Sequence, residues 1–274
     1  MHDRFAQGRA ALAVAVAVAA LAVAPAPAAA EAWIFRPITL PRGSAALDFG
    51  FAIGRQDAGP AGARTGPGVN LEAAFAVASE LELGLRLGFR FGGGGRATRA
   101  DEYARIFDTE TYGSYTDGGG ATSDTVANPE VRLRWGLARG PVLQLAFEGR
   151  FFLPIESGSR FGVMPALPLW LRFGAVRLDT GVYVPIIFTD NTTTVVSLPL
   201  AVWIQASSRA WLGPDVGVRF WESGARFTTY PFGFGLGYAL THAADLRFRI
   251  FFRDIGGSAA ARNFGAGVAF QFRT

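Results

Sequence analysis

Residues 81–91 read Leu-Glu-Leu-Gly-Leu-Arg-Leu-Gly-Phe-Arg-Phe, with a large apolar residue at every odd position and Glu, Gly or Arg at every even one. Successive side chains of a β-strand point to opposite faces, so this stretch has one wholly apolar face and one that is polar or empty. A helix would scatter the same apolar residues around its circumference. The alternation recurs along the chain. Its apolar face carries Leu47, Phe49, Phe51 and Ile53 in the first segment, Val131, Leu133, Trp135 and Leu137 in the fourth, and Leu143, Leu145, Phe147 and Phe151 in the fifth. It carries Tyr230, Phe232, Phe234, Leu236 and Tyr238 in the tenth segment, and Phe264, Ala266, Val268, Phe270 and Phe272 in the last.

About 12 such segments fill the chain, each near the ~9–11 residues that a strand needs to cross a bilayer. Tight links fall around Ser79, Arg139, Gly174, Ser207 and His242, while the remaining connections are mostly longer, the longest running from Gly92 to about Thr125. Short turns at one end and long loops at the other predict an all-β protein, a transmembrane antiparallel β-barrel with both termini periplasmic. Closure is required, because lipid cannot satisfy an unpaired strand edge. A soluble sandwich or propeller also alternates, but its outward face is polar, and here no polar helix layer is available to cover the apolar faces. Pro165, Pro168, Pro185, Pro199, Pro214 and Pro231 fall in segments six to ten. Proline removes a ladder donor, so bulges or short-paired regions are expected there.

The first thirty residues form a separate unit. Arg4 and Arg9 precede an uncharged Ala/Val/Leu run from Ala10 to Ala24, Pro25 and Pro27 break it, and Ala28-Ala29-Ala30 offers a small-residue cleavage site. That is the layout of a Sec-type signal peptide over residues 1–30, with an uncleaved anchor as the competing reading. Residues 31–43 form an N-terminal periplasmic arm in which Pro37 and Pro41 disfavour helix. Residues 44–274 form the barrel. Beyond the leader no segment approaches the roughly 18 continuous apolar residues of a membrane helix, so any crossing is made by strands.

Composition narrows the chemistry. Charged residues make up 18% of the chain, below the ~25% of soluble domains. There is no cysteine, which removes disulfide, thiolate-metal and cysteine-nucleophile chemistry. All 26 basic residues are arginine and the net charge is only +4; without a basic run this does not point to nucleic acid.

The last segment, Asn263-Phe-Gly265-Ala-Gly-Val268-Ala-Phe270, resembles the polar-x-Gly-x-x-hydrophobic-x-aromatic signal of the bacterial outer-membrane β-barrel proteins. The resemblance spans residues 44–274 by architecture. It implies Asn263, Gly265, Phe270 and Phe272 as an assembly signal, the barrel-assembly machinery as a folding partner, outer-membrane lipid as surroundings, and porin-like transport as a role. The chain departs from the pattern by ending Arg273-Thr274 after Phe272. The stretch from Arg36 to Pro41 is similar to the segment before strand 1 in some exporter-type barrels.

The inward parity holds the candidate site. Arg86, Arg90, Arg132, Arg134, Arg150, Arg172, Arg177, Arg219, Arg247, Arg249 and Arg253 fall on it, with Glu72, Glu82, Glu130, Glu148, Asp48, Asp179 and Asp215. An excess of cations gives a lumen that favours anions, with Arg86, Arg90, Arg132, Arg134, Arg249 and Glu148 as charge selectors. The alternative is a self-neutralising ladder filling a narrow lumen that conducts nothing. In segments six to eight the inward positions are apolar, including Trp170, Tyr183 and Trp203. Beside the arginines such a wall suits amphipathic anions such as aromatic or fatty acids; equally, the arm from Trp33 to Pro41 folds in and covers it.

The loop from Gly92 to Thr125 mixes acids, arginines and tyrosines, but its acidic spacing matches no calcium loop. Catalysis is disfavoured, since His242 is the only histidine after the leader and has no serine partner within reach. The expectation is a non-enzymatic outer-membrane channel for a small-molecule solute, with no metal and no cofactor. Its rival is a surface-interaction barrel with a packed lumen. The sequence does not specify an oligomer.

Overall fold

The structure is a computed structural model that describes residues 32–57, 63–91, 126–155, 160–188, 192–223, 225–256 and 264–274. The leader and the loop at 92–125 therefore lie outside the described residues. Strands β1 (Ala45–Asp57), β2 (Ala63–Ala76), β3 (Leu81–Arg90), β4 (Glu130–Arg139), β5 (Leu143–Phe152) and β6 (Gly162–Phe173) each pair antiparallel with the next. They are followed by β7 (Val176–Tyr183), β8 (Ile186–Ile187), β9 (Thr193–Gln205), β10 (Ala210–Ser223), β11 (Ala225–Thr229), β12 (Phe232–Ala239), β13 (Ala244–Phe252) and β14 (Phe264–Arg273). The last strand returns to the first, Phe49 lying opposite Phe270, and the sheet closes.

Two of the strand prolines divide wall strands in two. β7 and β8 both pair with β6 and β9 and are interrupted at Val184-Pro185. β11 and β12 both pair with β10 and are interrupted at Tyr230-Pro231. Rejoined, the fourteen segments make a closed barrel of 12 wall strands. Proline has no N–H to offer, so the ladder skips at those points; Pro165, Pro168, Pro199 and Pro214 stay inside their strands. A further register shift falls between Gly136 and Ala138.

The strands alternate as the pattern predicts. In β5 every second side chain is buried, from Gln144 through Ala146, Glu148 and Arg150 to Phe152, while Leu143, Phe147 and Phe151 are exposed. The exposed set includes Phe49, Phe51, Ile53, Leu85, Trp135, Val182, Leu236 and Phe248, and runs right around the barrel. A soluble monomer rarely carries so large an apolar surface, whereas a closed barrel in lipid requires an apolar belt outside and a satisfied backbone within.

The turns at one end are short, joining β2 to β3, β4 to β5, β6 to β7, β9 to β10 and β12 to β13. Of residues 32–42, Trp33, Ile34, Ile38 and Thr39 are buried within this end, while Phe35, Pro41 and Arg42 are exposed. A single 3-10 turn spans Trp33–Phe35; the chain then bends at Ile38-Thr39 and enters β1 through Gly43, whose φ of 76° favours glycine. No residue of this arm belongs to a strand.

Candidate functional site

Four groups of side chains line the lumen. The first is a neutral ladder on β2 to β5. Arg86 bonds Glu130 at 2.7 Å and also reaches Asn70. Glu130 accepts from Arg150 at 2.6 Å, Arg150 donates on to Glu148 at 2.9 Å, and Glu148 accepts from Arg134 at 2.8 Å. Arg132 joins Glu72 at 2.9 Å and Glu82 at 2.5 Å. Four arginines thus meet four glutamates, nearly all buried, with Glu148 at 0% exposure. Burial of an ion costs several kcal/mol unless partners replace its water, and here every arginine and glutamate of the ladder has at least one ionic partner. Gly84 makes room: a Cβ there would stand 3.0 Å from Nε of Arg132.

The second group holds the arm. The Trp33 ring stacks on Trp211 with centroids 5.0 Å apart and meets the edge of Trp203 at 5.5 Å. The Arg177 guanidinium lies 4.3 Å from the Trp33 ring and 3.6 Å from that of Trp170. Asp179 holds that guanidinium in place through two bonds at 2.5 and 2.8 Å and accepts from the Trp203 indole at 3.1 Å. The slot exists because β12 is a comb of inward glycines. A Cβ at Gly237 would lie 2.1 Å from Trp211, one at Gly235 2.8 Å from Trp203, and one at Gly233 2.7 Å from Asp215.

The third group is the wall of β10, β13, β14 and β1. Arg249 pairs with Asp215 and Arg247 with Asp48. Arg273 reaches Asp245 at 3.0 Å, and Arg219, fully buried, lies with its guanidinium 5.9 Å from the Phe251 ring. Four arginines here face three aspartates, before Arg36 of the arm joins Asp245 at 2.8 Å. Farther toward the long-loop end the lumen is apolar, filled by Phe152, Met164, Ala166, Tyr183, Ile187, Val195 and Trp221.

The structure divides the sequence candidates among these groups. Arg86, Arg132, Arg134 and Glu148 belong to the ladder, and Arg249 to the cationic wall. Arg90 ends β3, and its side chain lies outside the described residues. Trp170 and Trp203 sit in the arm's slot, whereas Tyr183 belongs to the apolar cluster beyond it. On β14, Gly265 faces inward opposite Gly54, while Phe270 and Phe272 face outward. Asn263 lies outside the described residues. Gln144, Gln205, Trp211 and Asp245, which contact the arm, escaped the sequence reading. The alternating Gly233, Gly235 and Gly237 were the available signal, since an inward row of missing side chains leaves slots for large ones opposite.

The geometry defines a class, a transmembrane β-barrel of the outer-membrane type. No protein-family model and no curated protein matches the chain in sequence. Among solved structures it is similar to an outer-membrane channel from Pseudomonas putida F1, at 11% identity and a TM-score of 0.63 over 92% of this chain and 100% of that one. It is similar to the NanC porin at 8% identity and a TM-score of 0.56, over 82% and 98% of the two chains. It is similar to the translocator domain of the autotransporter NalP from Neisseria meningitidis at 11% identity and a TM-score of 0.52, over 86% and 90% of the two chains. At such identities the likeness is one of architecture, so what passes through this lumen must be argued from its own residues.

Proposed function

We propose that this protein is a non-enzymatic outer-membrane channel for small anionic or amphipathic solutes, described here in a shut state. The observation that carries this reading is the asymmetry of the lumen. Its ladder wall is neutral, its β10–β13–β14–β1 wall has an excess of arginine, and its β6–β9 wall is aromatic. A solute with an acidic group and an apolar body finds complementary surfaces on the last two. The channel and porin among the similar structures support transport as the general role. The six charge selectors read from the sequence remain part of the proposal, with Arg249 carrying the anion preference and the ladder residues fixing the wall.

The burial of the ladder favours a second reading, a packed barrel that conducts nothing and acts through its surface. Single-channel conductance of the refolded mature chain, with reversal potentials in a salt gradient, separates the two. Discrete openings with anion preference support the channel. A heat-modifiable, folded barrel that stays silent after release of its arm removes it.

A further inference from the structure

We infer that the short-turn mouth of the barrel is a binding site for a short peptide with an aromatic residue first and a basic residue fourth, and that residues 33–40 are its exchangeable, built-in occupant. The cradle reads peptide chemistry position by position. The amide of Ile34 donates to the Gln205 side chain at 3.2 Å, that of Ile38 to Gln144 at 2.7 Å and that of Leu40 to Glu82 at 3.0 Å. The Ile38 carbonyl accepts from Arg134 at 2.9 Å. The first ring enters the slot of Trp211, Trp203 and Arg177, the fourth side chain meets Asp245, and Ile38 is 1% exposed.

Two features make the occupant exchangeable. The arm adds no strand to the sheet, so its departure breaks no ladder. Most groups that hold it also keep a second partner when it goes: Arg134 keeps Glu148, Glu82 keeps Arg132, Asp245 keeps Arg273, Arg177 keeps Asp179, and Gln205 keeps the Ser207 carbonyl. That release opens a path for solute rests on the channel reading above; exchange of the arm does not.

The chain has no cysteine, so a thiol placed in the arm reports its exit. Full-length Ile38→Cys and, as a smaller perturbation, Thr39→Cys are treated with a bulky maleimide while the peptide of residues 33–40 is titrated. Because a tethered segment has an effective concentration on the order of millimolar, the titration runs through that range. We expect labelling to accelerate saturably, roughly tenfold, as the added peptide takes the cradle and shifts the arm outward. A peptide with Glu replacing Arg36 should have no such effect. Labelling that stays at background with the matched peptide, or equal acceleration by the Glu peptide, overturns the site. Should neither thiol variant fold, a dye-labelled peptide 33–40 is bound to full-length Trp33→Ala/Arg36→Ala; saturable anisotropy competed by unlabelled peptide supports the site, and its absence overturns it. Labelled barrels are then placed in a bilayer. Exchange without conductance sinks the channel reading and leaves the site standing, whereas conductance without exchange does the reverse.

Discussion

The two sides of the lumen solve the problem of polar interior side chains differently. On β2 to β5 the sheet neutralises itself, with Arg86, Arg132, Arg134 and Arg150 held by Glu72, Glu82, Glu130 and Glu148 from neighbouring strands. On the opposite side the strands bring aromatic rings, glycines and an excess of arginine, and a segment from outside the sheet completes the packing. The first wall closes its ion pairs by register alone, and Glu82, Gln144 and Arg134 lend the arm only hydrogen bonds along its edge. The second wall is filled only when the Trp33 ring enters it, and that difference is why the aromatic slot is assigned there and rigidity to the ladder.

The largest effect is expected at the ladder. Glu148→Ala leaves Arg134 and Arg150 short of a buried partner and should cost roughly 3–5 kcal/mol, read from urea unfolding in detergent. A loss near zero would mean that water already reaches this wall. Next comes the glycine comb. Gly237→Ala forces the Trp211 ring to move and should cost about 1–3 kcal/mol by overpacking, with a change in tryptophan fluorescence as Trp33 loses its stacking partner. Trp33→Ala should shift the unfolding midpoint less than either, because a segment outside the ladder is lost locally without unfolding the barrel. If it unfolds the barrel as strongly as Glu148→Ala does, the arm is a structural element and the contrast between the walls fails.

Selectivity sharpens the same contrast without relying on stability. Arg249→Gln should move the reversal potential in a salt gradient toward cations, while Arg86→Gln, inside the neutral ladder, should move it less. Equal shifts would show that both walls face the solute alike. The smallest effect is expected at the exposed hairpin pair of Glu222 and Arg226, whose side chains are 63% and 84% exposed. Arg226→Ala should leave unfolding and conductance unchanged within error, as surface pairs usually do.

Much of this arrangement was legible from residue order. The inward parity of Trp170, Tyr183 and Trp203 survives the prolines between them, and the arginines and acids of the ladder fall on the parity that the alternation assigns. Their partners were not legible. Glu82 and Arg132 are 50 residues apart, and whether an inward arginine faces an acid, a glycine or solvent depends on the register between strands. The arm shows the limit most clearly. Its prolines disfavour helix, but nothing local in Trp33 or Arg36 says that they lie against Trp211 and Asp245.

Sequence by itself determined the class, because the two-residue period is a local property and an apolar belt without a covering layer leaves closure in lipid as the way to satisfy every backbone group. Tertiary structure alone decided which lumen charges cancel and what fills the short-turn mouth. The first outcome depends on inter-strand register, as between Glu82 and Arg132; the second depends on residues 171 to 209 positions apart, Ile34 with Gln205 and Arg36 with Asp245, and only the closed barrel brings them within a hydrogen bond of each other.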